Sequence, residues 1–304
     1  MNTTVAAAVS EPVSRAAPSR WRPSLSRSRK WALWGAYAGL ILFAVFFLIP
    51  PYYMLVTSLK TSQQIAAIEG NPWALPWPPT VSNWLALFTD TQFPIFFRNS
   101  VIATICTVAI SMAISILAAF SLSRMRFWGS ATLATGVFLC YLIPETLLFI
   151  PLFQVVGFLG LMDSMWVMVL VFPTLSVPFC TWIMIGYFQS IPKELDEAAL
   201  IDGASRLQLL LKIFIPVAMP GIIAATIFAF TVSWAGFLYP LAYIFSFDQM
   251  PLTVGIASTM IKADVFQWHM IMSAALLAAL PPLVVYAFLM DYYIAGLTAG
   301  ATKG

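Results

Sequence analysis

Residues 190–216 read Ser-Ile-Pro-Lys-Glu-Leu-Asp-Glu-Ala-Ala-Leu-Ile-Asp-Gly-Ala-Ser-Arg-Leu-Gln-Leu-Leu-Leu-Lys-Ile-Phe-Ile-Pro. Up to Lys212 the stretch holds four acids (Glu194, Asp196, Glu197, Asp202) and three bases (Lys193, Arg206, Lys212). It is the one dense polar island in a chain that is otherwise strongly apolar. Ser190, Pro192 and Lys193 read as a helix start. Glu194, Asp196 and Glu197 fall in its first turns, where carboxylates meet the positive end of the helix dipole. Ala198, Ala199, Leu200 and Ile201 continue the helix, and Gly203 permits a sharp bend or a close backbone approach. A second helix over 204–215 leads to Pro216. Two short helices joined at a glycine make a firm knob; the alternative is a loop lying on a surface.

Outward from this island the chain is hydrophobic on both sides. Of 304 residues, 61% are apolar and 9% charged, with a mean hydropathy of +0.89. Soluble chains carry about 25% charged residues, and beyond about 250–300 residues they split into domains rather than enlarge one core. Lipid is therefore the solvent for most of this chain. A spanning helix needs about 20 mostly apolar residues, and six runs qualify: 31–59, 101–122, 131–156, 164–188, 219–245 and 269–295. The first is too long for a signal-peptide core and has no small-residue cleavage site after it, so it is expected to be retained. Prolines inside the runs are tolerable, because neighbouring helices satisfy the freed carbonyls.

Six spans put both termini on one side, and the basic residues choose it. Arg15, Arg20, Arg22, Arg27, Arg29, Lys30, Arg124, Arg126, Lys193, Arg206, Lys212 and Lys303 share one side, against Lys60, Arg98 and Lys262 on the other. The positive-inside rule places the termini in the cytoplasm. Residues 1–30 interleave arginine with Ser, Pro and Ala and read as a disordered topogenic tail, with a patch for nucleic acid or anionic lipid as the alternative. The one long outer segment, 60–99, contains the extended stretch 71–79, whose tryptophans sit at the headgroup level or meet a partner protein.

Chemistry of the enzymatic kind is missing from the pattern. There is no G-x-x-x-x-G-K-S/T loop to cradle phosphates, no metal-ligand spacing and no nucleophile–base pair. Cys106, Cys140 and Cys180 lie in apolar runs, and His269 is the single histidine. No relay of intramembrane ionisable residues appears, which argues against a proton-driven pump. Glu145 is the exception. Fourteen steps of about 1.5 Å from Ala131 place it about 21 Å into a core of about 30 Å. A carboxylate facing lipid there costs at least about 2–3 kcal/mol, so it is expected to face a watery cavity or a polar neighbour. Pro144 before it loosens the backbone. A solute cavity, a contact with a second subunit and the outer interface are the three placements open to it.

Glu197-Ala198-Ala199, three residues, Gly203, nine residues, then Ile213-Phe214-Ile215-Pro216 resembles the cytoplasmic E-A-A-x3-G-x9-I-x-L-P motif of permease subunits of binding-protein-dependent ABC importers, with Ile215 in place of Leu. Asn99-Ser100 is similar to the pair that opens the permease core, and residues 119–124 to the exit from its first span. Pro151-Leu152-Phe153 with Leu159-Gly160-Leu161 resembles the segment between spans three and four. The ending, residues 296–304, resembles the glycine-rich tail of the maltose-type carbohydrate branch, in its six-span partner. After Trp234 the chain departs from the W-N-E/D-F/Y pattern of many sugar permeases, reading Ala235-Gly236-Phe237.

The resemblance implies an all-α polytopic protein with six transmembrane helices and the type I ABC importer permease fold, in a bacterial inner membrane. Its parts are a tail (1–30), a first span (31–59), an extracytoplasmic segment (60–99), a core of five spans (100–295) carrying the loop 190–216, and a cytoplasmic tail (296–304). It implies coupling to ATPase subunits through Glu197, Ala198, Ala199, Asp202 and Gly203. Tail contacts fall to Gly296, Leu297, Thr298, Gly300 and Lys303, in a segment too rich in glycine to form a stable helix alone. Glu145, Trp234, Gly236 and Tyr239 are candidates for the solute path. The implied partners are a second permease subunit, two ATP-binding cassette subunits, an extracytoplasmic solute-binding protein and a carbohydrate-like solute. No cofactor is expected on this chain, ATP and Mg being used by the partner subunits. No base lies inside a span, which favours a neutral polyhydroxy solute over a phosphate-bearing one. The alternative is a self-contained secondary carrier, which is expected to show internal repeats and a charged midplane site.

Overall fold

The computed structural model describes residues 27–67, 70–125, 127–262 and 265–301. Arg15, Arg20, Arg22, Arg126 and Lys303 lie outside the described residues, as does most of the basic tail 1–30. The helices in chain order are α1 (Arg27–Ser58), α2 (Ser62–Ala66), α3 (Ser82–Thr89), α4 (Phe93–Arg124), α5 (Ser130–Tyr141), α6 (Glu145–Phe158), α7 (Trp166–Ser190), α8 (Lys193–Ile201) and α9 (Arg206–Leu209). A π-helical turn, Leu210–Phe214, joins α9 to α10 (Ile215–Val217), and α11 (Met219–Trp234), α12 (Leu238–Tyr243), α13 (Leu252–Met260) and α14 (Trp268–Ala301) follow. Among the described residues the strands are two-residue pieces, β1 (Ile261–Lys262) antiparallel to β2 (Val265–Phe266). The chain divides into two compact units between Ile49 and Pro50, within α1. The portion of α1 up to Ile49 is apolar all round, as suits a helix surrounded by lipid.

Among the described residues, five stretches are long and apolar enough to cross a membrane: 29–58, 93–124, 166–190, 219–243 and 268–290. A sixth crossing exists if α5 and α6 are counted together, but they meet at an angle of 98°. The continuous span expected over 131–156 is therefore corrected to a bent pair. Pro144 is the cause: it has no N–H to continue α5, and its ring pushes Ile143 out of the helical region. Pro144 itself sits at φ −57, ψ 135 as the N-cap of α6. The run 219–245 is likewise interrupted, α11 ending at Trp234 and α12 beginning at Leu238.

The second unit is built around α4, α7 and α11, which pack on one another. The buried face of α4 runs Phe96, Asn99, Ala103, Thr107, Ser111, Ser115, Ala119 at helical spacing, with small or hydroxyl side chains from Ala103 onward. Such a stripe lets backbones approach closely in lipid. Its hydroxyls bond across the interface: the Ser111 and Ser176 hydroxyls lie 2.8 Å apart, and Ser115 Oγ donates to the carbonyl of Val177 at 3.3 Å. Large side chains gather at the two ends of this stripe. Phe93, Phe96, Phe172, Tyr239 and Tyr243 form one cluster, and Phe120, Phe188, Leu209 and Phe214 the other. The second cluster roots the polar island in the bundle.

At the C-terminus the glycine-rich segment does not stand alone. α14 continues without interruption to Ala301, so 296–301 is helical. Nucleation is the costly step of helix formation, and the preceding turns of α14 supply it. Gly296 and Gly300 then subtract only about 1 kcal/mol each.

Candidate functional site

The polar island folds as a knob. Pro192 caps α8, with Glu194 and Asp196 in the first turn. At the far end the Ala204 amide donates to the carbonyl of Ala199 (2.9 Å) and the Gly203 amide to that of Leu200 (3.1 Å). These two bonds form the motif that closes a helix with a left-handed residue. Gly203 is that residue, at φ +81. A Cβ placed there meets no heavy atom within 4 Å, so glycine is required by the backbone angle and not by crowding inside this chain. Ser205 then caps α9 reciprocally with Gln208, which fixes the direction in which the chain leaves. Glu197, Ala198, Asp202 and Gly203 are exposed and Ala199 is buried. Beside them Ile201 is 86% exposed and Leu207 59%, giving the knob an apolar tip ringed by acids. At its root, Asp196 lies 3.3 Å from Arg124, whose side chain is almost wholly buried. Burial raises the Asp196 carboxyl above its ordinary range, while Arg124 and Arg206 pull it down.

Glu145 does not stand 21 Å along a straight helix, as the continuous span required. It is the first residue of α6, at the 98° bend, and its side chain is exposed. It lines a cavity of about 510 Å3 together with Cys140, Tyr141, Leu148, Thr174 and Phe228. The other three path candidates are not in that cavity. Trp234 is buried and donates from Nε1 to the carbonyl of Ala278 at 3.1 Å. Gly236 packs under the ring of Phe172, where a Cβ would fall 2.2 Å from a ring carbon. That contact leaves no room for an acidic side chain at Gly236 unless Phe172 moves. Tyr239 is buried and donates its hydroxyl to the carbonyl of Glu145 at 2.6 Å. Tyr243 does the same to Phe149 at 2.7 Å. α12 thus braces α6 behind Glu145.

At the opposite end of the bundle from the knob, polar residues bind loops together. Asn99 Nδ2 donates to the carbonyls of Asp248 (2.8 Å) and Met250 (3.0 Å). Ser100 Oγ accepts from the amide of Leu252 at 2.8 Å, capping α13 from another element. Asp163, at φ 59, accepts from the Ser246 hydroxyl and from the amides of Ser246 and Phe245. Those bonds, the Ser246 hydroxyl foremost, hold its carboxyl below the usual range. The sequence reading passed over Asp163 and took Arg124 only as a topogenic charge and part of a motif. A lone acid between two apolar runs was the available signal for the first. Nothing local announces the second, whose partners lie 64 to 72 residues away. In the segment 60–99, Trp73 packs on Tyr53 with ring centroids 5.0 Å apart, whereas Trp77 is 91% exposed. Lys60, buried beside them, donates to the carbonyls of Asn71 and Pro72, and burial lowers its pKa. For the tail candidates Gly296, Leu297, Thr298 and Gly300 the backbone is helical.

Residues 111–298 match the family described as binding-protein-dependent transport system inner membrane component. The chain is 34% identical over 272 residues to the inner membrane ABC transporter permease protein YcjP of Escherichia coli (strain K12), covering 89% of this chain and 96% of that protein. It is 29% identical over 268 residues to the trehalose/maltose transport system permease protein MalG of Thermococcus litoralis, covering 88% and 95%. A solved structure of a bacterial ABC transporter involved in the import of the acidic polysaccharide alginate contains a chain with the same fold. The TM-score is 0.77 at 23% identity, over 89% of this chain and 99% of that one.

Proposed function

Because the chain belongs to the family of binding-protein-dependent transport system inner membrane components, we propose that it forms half of the translocation path of an ATP-driven importer for a carbohydrate-like solute. It is a multi-pass membrane protein with the fold of an ABC importer permease and acts as a transport subunit. In this reading ATP and Mg are handled by two partner ATPase subunits, a second permease subunit completes the path, and an extracytoplasmic binding protein delivers the solute. Both termini and the loop 190–216 face the cytoplasm. The parts keep the division into 1–30, 31–59, 60–99, 100–295 and 296–304. The tail 296–304 reaches toward the ATPase subunits, its residues 296–301 extending α14.

The observation that carries the coupling role is the knob itself. A helix closed at Gly203 and restarted by a reciprocal cap presents Glu197, Ala198 and Asp202 with the exposed side chain of Ile201. An exposed apolar tip on a rigid stalk fits a cleft on a partner. A chain with no phosphate-cradling loop needs its energy delivered from outside, and tilting the bundle about a central cavity turns a push on the knob into alternating access. On the path, Glu145 offers a carboxylate that accepts paired hydrogen bonds from neighbouring hydroxyls, in a cavity with one open side. The names of the relatives point to sugars and oligosaccharides as the solute class.

Gly203→Leu tests the coupling. The left-handed conformation costs a side-chain-bearing residue about 1–2 kcal/mol, and the added Cβ meets no heavy atom within 4 Å, so no steric clash adds to that strain. Insertion and abundance are expected to stay near normal, while ATP hydrolysis in the assembled complex no longer drives uptake. Normal uptake in that variant removes the coupling role.

A further inference from the structure

Arg124 ends α4, and its guanidinium joins the ends of several segments at once. Nη2 donates to the carbonyls of Phe188 and Ile191 at the C-terminal end of α7, where the helix dipole favours a cation. Nη1 stands 3.3 Å from Oδ2 of Asp196 on α8. The guanidinium carbon lies 4.8 Å from the centre of the Phe214 ring, within cation–π range. Phe214 closes the π-helical turn that leads toward α11. One buried side chain thus touches the ends of two spanning helices, the knob, and the segment that enters a third.

The cluster is incompletely paired. Nε of Arg124 and Oδ1 of Asp196 are both buried and have no hydrogen-bond partner. A guanidinium presents paired donors on its Nη1–Nη2 and Nε–Nη2 edges; here Nη2 is taken by the two carbonyls, so Asp196 is held through Nη1 alone. Buried polar atoms without partners are costly, which leaves this contact sensitive to a shift of α8 against α4. Lys193, Arg206 and Glu197 are the other charges acting on Asp196, and all three belong to the knob and move with it. Arg124 is the charge on that carboxylate that comes from the bundle. Lysine, a point charge without the planar fork, lacks this geometry.

We propose that Arg124 is the positioning residue that transmits displacement of the Lys193–Ile201 helix to α4 and α7 through its contact with Asp196. The proposal rests on the coupling role assigned to the knob above. It goes beyond that role by naming the side chain through which the motion enters the bundle.

Cys140, exposed in the cavity beside Glu145, supplies the readout. In the complete complex in proteoliposomes, with Cys106 and Cys180 replaced by alanine, its alkylation by a water-soluble maleimide is timed without nucleotide and with ATP and vanadate. With Arg124 and Asp196 intact the two rates differ. In Arg124→Gln and in Asp196→Asn, hydrolysis of ATP persists but the ratio of rates falls roughly three- to tenfold, toward one. Arg124→Lys, which keeps the charge without the fork, falls between. A full nucleotide-dependent ratio in both Arg124→Gln and Asp196→Asn overturns the proposal. If Arg124→Gln does not assemble, Asp196→Asn decides alone, because it leaves the two carbonyl bonds of Arg124 in place. An absent nucleotide effect with both residues intact defeats the coupling role itself, a result distinct from failure of Arg124 alone.

Discussion

Asp163 stands at φ 59, a region that acidic and amide side chains tolerate better than most. It stays there because three donors from 245–246 converge on its carboxylate. Removing that acceptor in Asp163→Ala is expected to speed hydrogen exchange at the Phe245 and Ser246 amides severalfold while α4 and α7 keep their protection. Its carboxyl is held below the ordinary value, so the clamp is present above the usual carboxylate range and is lost as pH falls through the lowered value. Asp163→Ala should accordingly flatten the acid side of the thermal stability profile. Glu145 is the second residue whose charge matters. Glu145→Gln is expected to lower uptake by weakening solute handling, with basal ATPase and assembly intact. Loss of assembly assigns Glu145 to the contact with the second permease, and unaltered uptake makes it a bystander. The presence of an acid at 145 was legible because a carboxylate in an apolar run needs a reason. Its position at a bend was not, because hydrophobic residues continue on both sides of Pro144 with nothing to distinguish one helix from two.

Among the elements, the bent pair α5 and α6 and the interrupted pair α11 and α12 belong together. Tyr239 and Tyr243 donate from α12 to carbonyls of α6, so the second break supports the first. Each such bond contributes about 0.5–1.5 kcal/mol. Tyr239→Phe combined with Tyr243→Phe is expected to lower the thermal midpoint of the purified complex and to raise the alkylation rate of Cys140. An unchanged midpoint and rate show that Pro144 alone sets the bend. The knob, by contrast, was readable in advance: a proline start, acids in the first turn, a glycine stop and a serine restart are local signals. So was the apolar character of the spans. The helical state of residues 296–301 was not legible, since their glycines argue against nucleating a helix alone, and here α14 only had to be prolonged. Deleting 298–304 is expected to weaken assembly or the stimulation of ATPase activity, and unchanged complex yield and uptake would assign the segment no role in contact.

At the scale of the whole molecule, composition placed the chain in lipid and the charge asymmetry proposed its orientation, but neither describes how force reaches the path. Two clusters of large side chains sit at the ends of the α4 stripe, one beneath the knob and one beside the loop junction held by Asn99, Ser100 and Asp163. In the proposed coupling, a push at one end would travel through this packed, hydroxyl-lined interface to the other. Transport driven from outside this chain is the central claim, and it rests on the family match. The direct measurement is uptake of labelled maltose, trehalose and related oligosaccharides into liposomes holding either this chain alone or the complete complex with its ATPase subunits and binding protein. The account predicts ATP-dependent accumulation in the complex and none with the chain alone. Solute movement catalysed by the chain alone, without ATPase subunits, would contradict it.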